Sequence, residues 1–286
     1  MEPRSIRLPG THGLELHALE WSREGTLLLF LHGFSNDAHV WDWVAPVLAP
    51  HYRVIALDQR GHGDSGRDPE GRYDHETMAR DANAAIESLG VARVVIVGHS
   101  LGGRVAMRFA GLFPEKLAGL VIVDSAPDLD ARGTTRISLD VQQQDWSFAS
   151  VADYERVLQR QYAATKPEIL AKLATHWTRK REDGRYELKL DPGFMKARSG
   201  VSAEDAKAWS EREAKHLWAA LKSLPCPALI VRGAASDVMS AEVADTMVDD
   251  VIPNAKLETV ARAGHSVMLD NPEAFEKVLT AFVLGE

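Results

Sequence analysis

Five short stretches of the chain are apolar at every position but one (Arg53), and each stops abruptly at a polar or glycine turn. Leu27-Leu28-Leu29-Phe30-Leu31 ends at His32-Gly33, and the run 52–57 (YRVIAL) ends at Asp58. The run 94–97 (VVIV) ends at Gly98, 120–123 (LVIV) at Asp124, and 228–231 (ALIV) at Arg232-Gly233. A strand exposed on one face alternates apolar and polar residues. A strand that is apolar throughout must be covered on both faces, which is the situation inside a parallel sheet flanked by helices. Helical periodicity fills the intervals, at 75–89, 101–113, 241–248 and 272–282, the last opened by Asn271-Pro272 as cap and first turn. Two alternating stretches, around Ile6 and over 14–19, predict leading antiparallel strands. The fold class predicted is α/β, a mostly parallel open sheet with helices on both faces.

The rhythm breaks between Pro127 and Leu224. No strand-like apolar run occurs there, and helix patterns cover 151–161, 167–177 and 203–221. The expected organisation is a core domain of residues 1–126 and 225–286, with a helical cap inserted as 127–224 over the strand ends. Four of the seven tryptophans fall in this insertion, Trp146, Trp177, Trp209 and Trp218, and are expected to pack the cap on itself and on the core.

The segment Gly98-His99-Ser100-Leu101-Gly102-Gly103 follows one strand and opens one helix. A sharp strand-to-helix turn forces the serine into strained backbone geometry and lifts its hydroxyl above the sheet. Strand and helix then approach so closely that the residues two before and two after must be small, and both are glycine. A serine hydroxyl needs a base to become a nucleophile, and histidine suits that task near neutral pH. Of eleven histidines, His265 lies in a loop after the strand pattern 257–260, on the same sheet edge as Ser100. His32, His62 and His99 share the edge but adjoin tight glycine turns, where wall and turn roles are expected. The base needs an acid to fix its tautomer. Two candidates follow strands, Asp237 after the ALIV run and Asp124 after the LVIV run. Asp237 is preferred, because its strand should lie beside the one preceding His265; Asp124 is expected to cap the Ser125-Ala126 turn. The backbone N–H groups of Leu101 and Phe34 are the expected oxyanion donors.

Taken together, His32-Gly33-Phe34, the stretch from Asp58 to Ser65, Gly98 to Gly103, Ser236-Asp237 and Gly264-His265 resemble the α/β-hydrolase family, specifically its capped carboxylesterase-like members. The resemblance covers almost the whole core but not the insertion. It implies an acyl-enzyme mechanism without a cofactor, on a small-molecule ester with a small or medium acyl chain. Ser100 stands where dehalogenases and epoxide hydrolases of the family carry aspartate. Ser266 stands where its carbon–carbon hydrolases usually carry tryptophan. Lactone hydrolysis and carbon–carbon cleavage are the alternatives on the same triad, and a non-catalytic ligand receptor is the alternative of another class.

Other chemistries find little footing. Gly61-His62-Gly63-Asp64-Ser65-Gly66 spells a dinucleotide fingerprint, but loop residues follow where a helix should begin. No metal or nucleotide motif is present, so neither metal nor cofactor is expected. A net charge of −8 disfavours nucleic acid, and no run reaches the length of a membrane span. The lone Cys226 is expected to be a core thiol. With no secretory leader pattern at the N-terminus, a cytoplasmic location is expected.

Overall fold

The computed structural model describes residues 1–142, 145–196 and 202–285. Its strands are β1 (Arg4–Pro9), β2 (Glu15–Glu20), β3 (Leu27–Leu31), β4 (Arg53–Leu57), β5 (Val94–His99), β6 (Leu117–Val123), β7 (Ser147–Phe148), β8 (Thr178–Lys180), β9 (Tyr186–Leu188), β10 (Ala228–Gly233) and β11 (Ala255–Val260). The helices are α1 (Ala45–Leu48), α2 (His75–Ser88), α3 (Leu101–Leu112), α4 (Ala131–Gln142), α5 (Val151–Gln161), α6 (Pro167–His176), α7 (Gly193–Lys196), α8 (Ala203–Lys222), α9 (Ala241–Thr246), α10 (Val267–Asp270) and α11 (Pro272–Leu284).

Eight strands form one sheet in the order β1-β2-β4-β3-β5-β6-β10-β11. Pairing is antiparallel on both sides of β2 and parallel from β4 to β11. The all-apolar runs are the central strands, and β3 and β5 are buried at every residue. Helices α2 and α3 and the C-terminal α11 cover the faces. Asn271 caps α11 by accepting the Ala274 N–H at 3.3 Å, with Pro272 in the first turn. Cys226 is buried, and burial pushes its thiol up to about 11, so it behaves as a packed apolar group.

Because β6 and β10 are hydrogen-bonded neighbours, the segment between them is one long connection between adjacent strands. It is not purely helical: besides α4 to α8 it holds a three-stranded antiparallel sheet, β7-β9-β8. Those strands have only two or three residues, too few for an apolar run to be visible. Arg179 and Lys180 lie exposed on β8. Trp177 is buried and donates its indole N–H to Asp37 of the core at 2.9 Å. Trp218 donates to Asp128 within the insertion, and Trp209 stays 39% exposed. Among the described residues, no helix is long and apolar enough to cross a membrane.

Candidate active site

Ser100 sits between β5 and α3 with φ +52° and ψ −115°, a region that residues with side chains adopt only under constraint. The constraint is close packing. A methyl group on Gly98 would lie 2.3 Å from the Gly102 carbonyl oxygen, and one on Gly102 would lie 2.3 Å from that of Leu31. The elbow is pinned from below as well, since the Ser100 N–H bonds the Val123 carbonyl at 3.1 Å and Gly102 bonds that of His32. The Ser100 hydroxyl is thereby presented above the sheet, 3.0 Å from Nε2 of His265.

The carboxylate on the far side of that imidazole belongs to Asp124, with Oδ2 at 2.8 Å from His265 Nδ1. This corrects the preference for Asp237. The premise held, since β10 does lie beside β11. However, Asp237 is four residues past the end of its strand, and its side chain turns to the insertion. There Arg136 of α4 grips it with Nε at 2.6 Å and Nη2 at 2.8 Å. That guanidinium holds the Asp237 carboxyl below its usual range. Asp124 follows its strand directly and is fully buried. Its N–H bonds the Val231 carbonyl, and Oδ1 accepts from the Gly233 N–H at 3.0 Å. Oδ2 takes both His265 and the Ser236 hydroxyl, the latter at 2.5 Å. The carboxylate thus reaches across the end of β10, and does not cap the Ser125-Ala126 turn. With its acceptors facing Nδ1, the Nδ1–H tautomer is favoured and Nε2 is left to accept the serine proton.

The loop that carries His265 is braced by Asp270, which accepts the Gly264 N–H at 2.9 Å and the Thr165 hydroxyl of the insertion at 3.0 Å. His99 adds a bond from Nε2 to the His265 carbonyl at 2.9 Å. Burial drives His99 well below the ordinary histidine range, and takes His62, with help from His32, down to about 3. His32 is sealed between the Gly33 carbonyl and the Gln59 N–H. All three are buried, and each bonds a backbone carbonyl of a loop at this sheet edge. The N–H groups of Phe34 and Leu101 have no protein partner among the described residues. Two free donors flanking the elbow are what an oxyanion would require. The Gly61–Gly66 loop leads to no adjacent helix, the next being α2 at His75.

Sheet order, elbow and the serine–histidine pair define an α/β-hydrolase, and the family model for the alpha/beta hydrolase fold matches residues 26–272. The chain belongs to that family. It is 29% identical over 260 residues to the 2-(acetamidomethylene)succinate hydrolase of Mesorhizobium japonicum, covering 91% of this chain and 88% of the relative. It is 25% identical over 266 residues to the 2-hydroxymuconate semialdehyde hydrolase of Pseudomonas sp. strain CF600, covering 92% and 88%. The solved structure of a marine microorganism esterase matches with TM-score 0.71 at 26% identity, over 94% of this chain and 99% of that one.

Proposed function

We propose that the protein is a serine hydrolase that cleaves carboxylic esters of small or medium acyl chain through an acyl-enzyme, with no cofactor. The observation that carries this reading is the unbroken relay from Ser100 Oγ through His265 to Asp124, with bonds of 3.0 and 2.8 Å. Ser100 attacks the carbonyl carbon while His265 Nε2 takes its proton. The imidazolium so formed is stabilised by the buried Asp124 carboxylate. Negative charge developing on the carbonyl oxygen is received by the N–H groups of Phe34 and Leu101, a pair of donors worth about 10²–10³ in rate for each one removed. Collapse expels the alcohol, which collects the proton from His265. Water, activated by the same base, then releases the acid.

Residues 127–224 serve as the lid over this centre in our reading, supported by Arg136 and Thr165 reaching the loops around it. The substrate is a small molecule met in the cytoplasm; the net charge of −8 and single buried thiol fit that setting. Ester chemistry is preferred to carbon–carbon cleavage because a serine–histidine–aspartate relay needs only an activated carbonyl, and Ser266 replaces the aromatic residue expected beside the base. The test is labelling of Ser100 by a fluorophosphonate, followed by kcat/KM on p-nitrophenyl esters of rising chain length. Turnover that peaks at short or medium chains is expected. Labelling without ester turnover would overturn the ester reading, and absence of both would overturn the enzyme reading.

A further inference from the structure

We propose that His39, Asp42 and His176 form a binding site for a divalent transition metal of the zinc class, at the seam between the core and the insertion. This proposal is independent of the hydrolytic reading, and no part of the Ser100 relay belongs to it. His39 lies in the single 3₁₀ turn Ala38–Trp41, and Asp42 ends that turn. Side chains three apart eclipse on a 3₁₀ helix, so the two project together. His176 closes α6 of the insertion and lays its ring on that of His39, with centroids 3.4 Å apart and planes 18° from parallel. One donor atom from each residue lies within 4.8 Å of the others.

The second indication is at Asp42. Its side chain is 5% exposed, and Oδ1 is buried with no hydrogen-bond partner among the described residues. Oδ2 accepts from His39 Nδ1 at 3.0 Å and from the Lys172 ammonium at 2.8 Å. A buried carboxylate with a spare acceptor, two imidazoles and a lysine cation in attendance is a cation position already outlined. Lys172 is 42% exposed, and its Nζ also sits 5.4 Å from the Trp43 ring, so it can yield its place and move to water.

Two imidazoles with one carboxylate select borderline metals such as zinc, nickel or copper over the all-oxygen preferences of magnesium and calcium. Zinc held at about 2.0–2.1 Å in tetrahedral geometry brings donors to about 3.3 Å from one another. The stacked rings must therefore turn so that their lone pairs converge, a rotation about the soft terminal torsion of each histidine. Metal binds neutral imidazole.

The test uses the full chain, stripped with a chelator and titrated with zinc chloride by calorimetry at pH 7.5, with magnesium chloride as control. One zinc is expected to bind, with no heat from magnesium. His39→Gln and His176→Gln should each weaken binding about tenfold or more. Lys172→Met should tighten it by up to about fivefold, the worth of one exposed ammonium competing for the carboxylate. That variant alters a half-exposed side chain and leaves the fold intact, so it reads out even if a histidine variant fails to fold. Zinc binding that is unchanged in folded histidine variants, or insensitive to Lys172→Met, would overturn the proposal.

Discussion

Replacing Asp124 by asparagine separates the two acid candidates. The carboxylate receives three bonds, from the Gly233 N–H, the Ser236 hydroxyl and His265 Nδ1. Asparagine keeps one acceptor, which Gly233 can retain, and presents an NH₂ group where Oδ2 was. The Ser236 hydroxyl, whose oxygen already accepts the Val238 and Met239 N–H groups at 3.1 Å, loses its acceptor. The imidazole can meet an NH₂ only by moving its proton to Nε2, where it faces Ser100 and can no longer act as base. A loss of about 10⁴ in kcat is expected, or about 5.4 kcal/mol at 1.36 kcal/mol per decade. Asp237→Asn breaks only the ion pair to Arg136 at a one-third-exposed carboxylate, and kcat should change less than about tenfold. Both variants are assayed on one p-nitrophenyl ester, after circular dichroism has established folding. A dead Asp237→Asn beside an active Asp124→Asn would refute the assignment and leave Ser100 and His265 standing.

Ser100→Ala should abolish ester turnover and fluorophosphonate labelling with an unchanged melting temperature or a slightly higher one, since alanine does not remove a packing contact; residual turnover near wild type would exclude Ser100 as nucleophile. Gly102→Ala should cost on the order of 3 kcal/mol in chemical denaturation, because its methyl group meets backbone at 2.3 Å with no flexible neighbour to yield. Asp37 should give the stability profile an unusual limb. Burial, then the neighbouring Asp58 carboxylate, push it up to about 7. A raised carboxyl pKa contributes stability fully below the unfolded value of about 4, and that contribution is lost as pH rises towards 7. Relative to Asp37→Asn, whose amide mimics the protonated form, the wild-type melting temperature should therefore fall between pH 4 and 7; a constant difference would show that Asp37 titrates normally.

The core was legible because its strands are buried on both faces, and continuous apolar runs ending in turn residues leave few other folds open. Ser100 was legible for the same reason, standing directly after a recognisable strand, and His265 from the loop between the last strand and the final helices. Asp124 carried the same signal, standing directly after the LVIV run, but was set aside in favour of a residue deeper in a loop. Strand adjacency places a backbone, not a carboxylate, and the grip of Arg136 from 101 residues away could not be read from spacing. Helix α4 was not anticipated either. Only Gly133 among its residues of described burial is buried, so no core-facing stripe sets a period. The three-stranded sheet of the insertion was hidden by its short strands.

Placing the acid after β6 has a consequence for how the molecule could be divided. Ser100 and Asp124 follow the neighbouring strands β5 and β6; the Ser100 N–H bonds Val123 of β6, and the Asp124 N–H bonds Val231 of β10. Residues 1–126 thus hold the proposed nucleophile, acid and both oxyanion donors, while the portion beyond the insertion supplies the imidazole. An acid after β10 would have left the N-terminal piece with the serine alone. As the chain stands, a cut within 127–224 would yield two fragments of unequal chemical content. Their reassociation along the β6–β10 seam must seat both the His265 loop and the Gly233 and Ser236 donors that hold Asp124 to restore the relay.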